Sequence, residues 1–130
     1  LLDWRLRTDP RVVNLERTHA NSLTEELIPE PVQFLCADLS FTSLHKIIPH
    51  VVWRLARDAR IAMLIKPQFE AKSYEVQTGG LVVDPLVHQR VCSEIKTAIG
   101  VLGFLDLRII QSPIKGTKGN QEFLLIGRWE

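Results

Sequence analysis

Residues 32 to 37 (Val-Gln-Phe-Leu-Cys-Ala) and 61 to 65 (Ile-Ala-Met-Leu-Ile) are almost unbroken apolar runs. Runs of that length without alternation predict strands buried on both faces, as in a parallel sheet. Val12 to Leu15, set up by the turn residues Asp9-Pro10, predicts a further short strand. Leu44, Ile47, Ile48, Val51, Val52 and Leu55 recur at helical spacing behind Ser43, a suitable cap. Pro49 falls inside that pattern, where a proline kinks a helix or costs about 3 kcal/mol. A second helix reads more cleanly. Asp84 is placed to cap it and Pro85 suits its first position; Val87, Val91, Ile95, Ala98 and Leu102 form its stripe, and Gly103 stops it. Strands over 104 to 110 and 122 to 126, joined by the loop Gln111 to Asn120, close the chain. Strands alternating with helices, then a final strand pair, predict an α/β sheet, mostly parallel with an antiparallel return.

Composition narrows the class. A chain of 130 residues holds one compact domain. Its 16 Lys and Arg against 15 Asp and Glu leave a formal charge of +1, which argues against a strongly basic nucleic-acid module without excluding a local patch. With 45% apolar and 24% charged residues it is not a disordered chain. No apolar run approaches the roughly 20 residues that cross a bilayer. The start, Leu1-Leu2-Asp3-Trp4-Arg5, has no signal-peptide pattern and opens without Met, as a piece of a longer protein would. Cys36 and Cys92 make no CxxC pair, and a reduced, cytoplasmic protein is expected.

Ligands of open parallel sheets bind at the carboxyl ends of the strands. Asp38 follows one predicted strand and Lys66 another, while Glu122 begins the last. If that strand runs antiparallel, all three reach one edge of the sheet. A lysine between two carboxylates can hold, orient or deprotonate an attacking alcohol. Taken singly, each is also what a strand end emerging into solvent looks like. Gly79-Gly80 and residues 116 to 120 match neither GxGxxG nor a P-loop and read as loop punctuation. Lys115 and Lys118 suit a phosphate backbone or plain solvent. Trp4, Trp53 and Trp129 are too scattered for a stacking platform and read as packing residues. The four histidines have no metal spacing, so no metal is expected, and Gly-x-Ser-x-Gly is absent.

Several motifs occur in a fixed order: Leu2-Asp-Trp-Arg-Leu-Arg-Thr-Asp-Pro-Arg11, Leu15-Glu-Arg-Thr18, Ala37-Asp-Leu-Ser-Phe41 and Leu64-Ile-Lys-Pro-Gln-Phe-Glu70. Gly79-Gly-Leu-Val-Val-Asp-Pro85 with His88 follows, then Ser112-Pro-Ile and Gly119-Asn-Gln-Glu-Phe-Leu124. Together they resemble the TlyA family, bacterial proteins often labelled hemolysins and similar to FtsJ-type ribosomal RNA methyltransferases. The resemblance implies a Rossmann-like methyltransferase fold, S-adenosylmethionine as donor, and ribose 2′-hydroxyls of ribosomal RNA or ribosomal subunits as acceptors. It also implies a Lys-Asp-Lys-Glu set, of which Asp38, Lys66 and Glu122 match the last three. Thr18 and His19 match the turn approaching the cofactor's adenine, with Asp38 also on the cofactor side. The family usually has Asn where His19 stands. By the same resemblance, the first lysine, the glycine-rich cofactor loop and a small RNA-binding domain lie upstream, making residues 1–130 the carboxyl-terminal part of a methyltransferase domain. Such a part is expected to bind cofactor weakly or not at all, and to self-associate through open sheet edges. The alternative is a non-catalytic RNA-binding or protein-interaction fragment. The membrane-lytic activity implied by the hemolysin label finds neither a membrane span nor a basic amphipathic helix.

Overall fold

A computed structural model describes residues 2–130. After a one-turn helix α1 (Trp4–Arg7), the chain builds one sheet from β1 (Val32–Ala37), β2 (Leu55–Ile65), β3 (Phe104–Gln111) and β4 (Phe123–Trp129). Three helices connect them: α2 (Leu44–Ile47), α3 (Pro67–Glu70) and α4 (Pro85–Val101). The strand order is β1-β2-β4-β3. β1 is parallel to β2, and β4 is antiparallel to both its neighbours. Three strands therefore share a direction and the last returns between two of them: the expected α/β sheet with an antiparallel return, though one parallel and two antiparallel ladders make it mixed and not mostly parallel.

The core lies on one face. Ile61, Met63 and Ile65 of β2 and Leu125 of β4 are buried there, Met63 opposite Leu125 in register. α4 covers them with Val87, Val91, Ile95 and Ile99, and Leu44 and Ile48 fill the end. Each such side chain contributes roughly 1.5–3 kcal/mol by leaving water. Asp84 caps α4 by accepting from Leu86 N–H at 2.9 Å, and Pro85 sits where a missing N–H costs nothing. Gly103 ends the run at φ +118°, where a Cβ would meet the Trp129 ring at 3.3 Å. The opposite sheet face, with Phe34, Ala62 and Ile126, is only partly covered, and Phe34 is 59% exposed.

Three expectations are corrected. Val12 to Leu15 forms no strand, because a strand exists only by pairing and no neighbour lies beside it among the described residues. The helix expected from Leu44 to Leu55 stops at Ile47 and continues as two 3₁₀ turns, Ile48–His50 and Val52–Arg54. Pro49 has no N–H to continue the ladder and its ring crowds the preceding turn. The strand expected over 61 to 65 begins instead at Leu55, before a bulge that carries Asp58 at φ +61°. Trp129 packs edge-on against Phe104 at 4.9 Å, whereas Trp4 is 74% and Trp53 44% exposed. No helix among the described residues is long and apolar enough to cross a membrane.

Candidate active site at the strand ends

The return of β4 decides what meets at the sheet's edge. Ile65 pairs with Phe123, so the residue after β2 and the residue before β4 are neighbours across the sheet. Lys66 occupies the first place and Glu122 the second, while Asp38 follows the parallel strand β1. The topological expectation for these three residues is met.

Their contacts differ. Lys66 is largely buried, with a side chain 13% exposed, and its Nζ forms an ion pair with Oδ1 of the exposed Asp38. The same Nζ lies 3.4 Å from Ser40 Oγ and 6.0 Å from the centre of the Phe69 ring. Glu122 is buried and is bound by another residue: Gln68 Nε2 donates to its Oε2 at 2.7 Å. Backbone of the preceding loop closes against it, for a Cβ on Gly116 would sit 2.1 Å from Oε2. Asp38 and Lys66 are thus joined directly, and Glu122 is joined to the segment that follows Lys66.

A cleft of about 300 Å³ opens beside Lys66, lined by Ser40, Phe41, Phe69, Gly80 and Lys118 among others. Phe41 is 89% exposed at φ +61°, and its ring stacks at a tilt on Phe69 with centroids 4.8 Å apart. The far wall depends on Asn120, whose buried side chain accepts from Val82 N–H at 3.0 Å and donates to the Gly80 carbonyl at 2.8 Å. That side chain ties the Gly79-Gly80 turn to the loop before β4.

Behind the cleft, Glu70 holds the loop after β1. Its Oε2 accepts from Ser43 Oγ–H at 2.6 Å and its Oε1 from Leu44 N–H at 2.9 Å. Burial raises its carboxyl above the usual range, against the pull of those two hydrogen bonds. Ser43 also lies 2.5 Å from His45 Nδ1.

Thr18 and His19 stand apart. Both are exposed; Thr18 Oγ1 donates only to the nearby Glu16 carbonyl at 3.3 Å, and neither lines the cleft at Lys66. Gln68, Glu70, Asn120 and Phe41 escaped sequence reasoning although all four lie inside quoted motifs. Their partners are far along the chain, and only Ser43 carried a local signal, as a helix cap.

A family model described as FtsJ-like methyltransferase matches residues 1–129. The chain belongs to the FtsJ-like methyltransferase family. Members of this family generally use S-adenosylmethionine. Among FtsJ-like relatives, the chain is 44% identical over 124 residues to the 16S/23S rRNA (cytidine-2′-O)-methyltransferase TlyA of Mycobacterium tuberculosis, covering 95% of this chain and 46% of that protein. It is 35% identical to Hemolysin A of Brachyspira hyodysenteriae, covering 95% of this chain and 52% of that one. A solved hemolysin-type protein of Streptococcus thermophilus superposes with a TM-score of 0.90 at 30% identity, covering 99% of this chain and 47% of that one. The resemblance to TlyA proteins thus holds along the FtsJ-like segment, and the chain spans about half the length of the curated relatives it matches.

Proposed function

We propose that this chain carries the acceptor side of an S-adenosylmethionine-dependent methyltransferase acting on ribose 2′-hydroxyls of ribosomal RNA, within a protein of its relatives' length. The observation that carries the reading is the Lys66–Asp38 ion pair, whose lysine lines a cleft together with the exposed ring of Phe41. Largely sheltered from solvent, the Lys66 side chain is the group placed to hold and orient an incoming hydroxyl and, once its ammonium has released a proton to solvent, to take the hydroxyl's proton. Asp38 directs that amine from the strand end beside it, and Glu122 closes the same edge. The exposed ring of Phe41 offers a face on which the acceptor's base can stack, a contact worth about 1–3 kcal/mol per base. Holding the hydroxyl in line is most of the task, since alignment can supply about 7–11 kcal/mol of a barrier.

The methyl group comes from the cofactor in this family. Thr18 and His19, which the resemblance puts beside the cofactor, are exposed and line no part of the cleft at Lys66. The 130-residue chain alone is therefore expected to bind S-adenosylmethionine weakly or not at all, and micromolar affinity in a calorimetric titration would contradict that. The decisive test uses the full-length protein and ribosomal subunits. Lys66→Ala is expected to abolish methyl transfer while leaving RNA binding intact. Transfer at the wild-type rate would remove Lys66 from the chemistry, and RNA binding without transfer by the unaltered protein would favour a non-catalytic role.

A further inference from the structure

Helix α3 is a single turn, yet both its polar side chains are spent on other parts of the chain. Gln68 donates to Glu122, which precedes β4, and Glu70 accepts from Ser43 and Leu44, which follow Asp38 in the loop after β1. At about 100° per residue, positions 68 and 70 point some 200° apart around the turn. The turn is therefore gripped from two opposite sides. It also begins at Lys66, whose carbonyl accepts from Phe69 N–H at 2.9 Å and from Glu70 N–H at 3.2 Å. Buried Pro67 at the first helical position fixes the direction in which the chain leaves Lys66.

We propose that Gln68 and Glu70 are positioning residues that set Lys66 between Asp38 and Glu122. This rests on the reading of Lys66 as the group that handles the acceptor hydroxyl. Two features set the grip apart from ordinary packing. Gln68 Oε1 is buried and meets no hydrogen-bonding group among the described residues, while its N–H₂ meets Glu122. Turned over, it would set two oxygens against each other. Glu70 is a half-buried carboxylate whose burial disfavours its charge, yet both of its oxygens accept hydrogen bonds from the loop after β1. Both side chains take arrangements with a local penalty, and both arrangements fix where Lys66 sits. Glu70 lines no part of the cleft, and Gln68, which does line it, spends its N–H₂ on Glu122; both act on the amine through the backbone that follows Lys66.

The test compares Glu70→Ala, Glu70→Gln, Gln68→Met and Lys66→Ala in the full-length protein, with steady-state methyl transfer to ribosomal subunits and a thermal melt for each. Glu70→Ala and Gln68→Met are each expected to lower kcat about 10- to 100-fold, the loss that follows roughly an ångström of misplacement, with KM for the RNA within about twofold. Glu70→Gln is expected to recover most of the rate, because its oxygen still accepts from Leu44 N–H and its amide can donate to Ser43 Oγ. Gln68→Met keeps the volume, so it serves where Glu70→Ala folds poorly. Wild-type kcat in Glu70→Ala and Gln68→Met beside an inactive Lys66→Ala would overturn the proposal. So would a loss that follows the folded fraction and is not restored by Glu70→Gln. An active Lys66→Ala would instead overturn the reading of the site beneath it.

Discussion

At Gly116 the backbone angles are ordinary, φ −78° and ψ −170°, and any residue can adopt them. Space makes this position a glycine, since a Cβ would meet the Glu122 carboxylate at 2.1 Å and its Cδ at 2.5 Å. Gly116→Ala must push Glu122 away from Gln68 or move the loop. A stability loss of about 1–3 kcal/mol is expected from such overpacking, with a fall in methyl transfer larger than stability explains. Denaturant unfolding and transfer assays on the same sample check both. Two carboxylates respond to pH with opposite signs. The Arg90 guanidinium holds Glu75 down at about 2, so the stability of that pair is present above pH 4.5 and drains away as pH falls towards 2. Glu70 is raised by burial, so the fold favours its protonated form and stability declines as pH rises from 4.5 through its raised value. Thermal melts across pH 2 to 8 are expected to lose the acid-side slope in Glu75→Gln and the slope above pH 4.5 in Glu70→Gln.

Among the elements, α4 and β2 hold the core together, and Leu125 of β4 is their shared contact, fully buried opposite Met63 and Ile109. Leu125→Ala is expected to cost about 2–5 kcal/mol, read from the midpoint of chemical unfolding. Helix α4 was legible because its start, stripe and stop are all local signals: Asp84 and Pro85, the spacing of Val87, Val91 and Ile95, and Gly103. The apolar spacing from Leu44 to Leu55 does not make one helix, because Pro49, already out of place in that pattern, lacks the N–H to continue it and leaves only one α turn. The early half of β2 was illegible for a different reason. Arg57, Asp58 and Arg60 give it no apolar period, and it is a strand only because β1 pairs at Leu55 and again from Arg60, where β4 joins from the other side. The same division runs through the site. Asp38, Lys66 and Glu122 could be found because each adjoins a strand that declares itself. Gln68 and Glu70 could not, because their partners lie 54 and 27 residues away.

For the whole molecule, β1 ends the sheet with an unpaired side, and Phe34 stands 59% exposed on its uncovered face. Unpaired strand edges recruit other strands. The 130-residue chain is expected to scatter light as a concentration-dependent mixture of sizes, and Phe34→Lys to shift it towards monomer; a wild-type chain that stays monomeric at all concentrations would count against this. The antiparallel return of β4 also bears on how the chain reaches this state. β3 and β4 are joined by the eleven residues 112–122 and can zip as a hairpin before β4 meets β2, which closes about sixty residues of chain. The cleft needs that second closure, because Glu122 and Gln68 come together only across it. Amide exchange should therefore find the β3–β4 hairpin protected first during refolding, with the pocket's loops the last to lose their solvent contact.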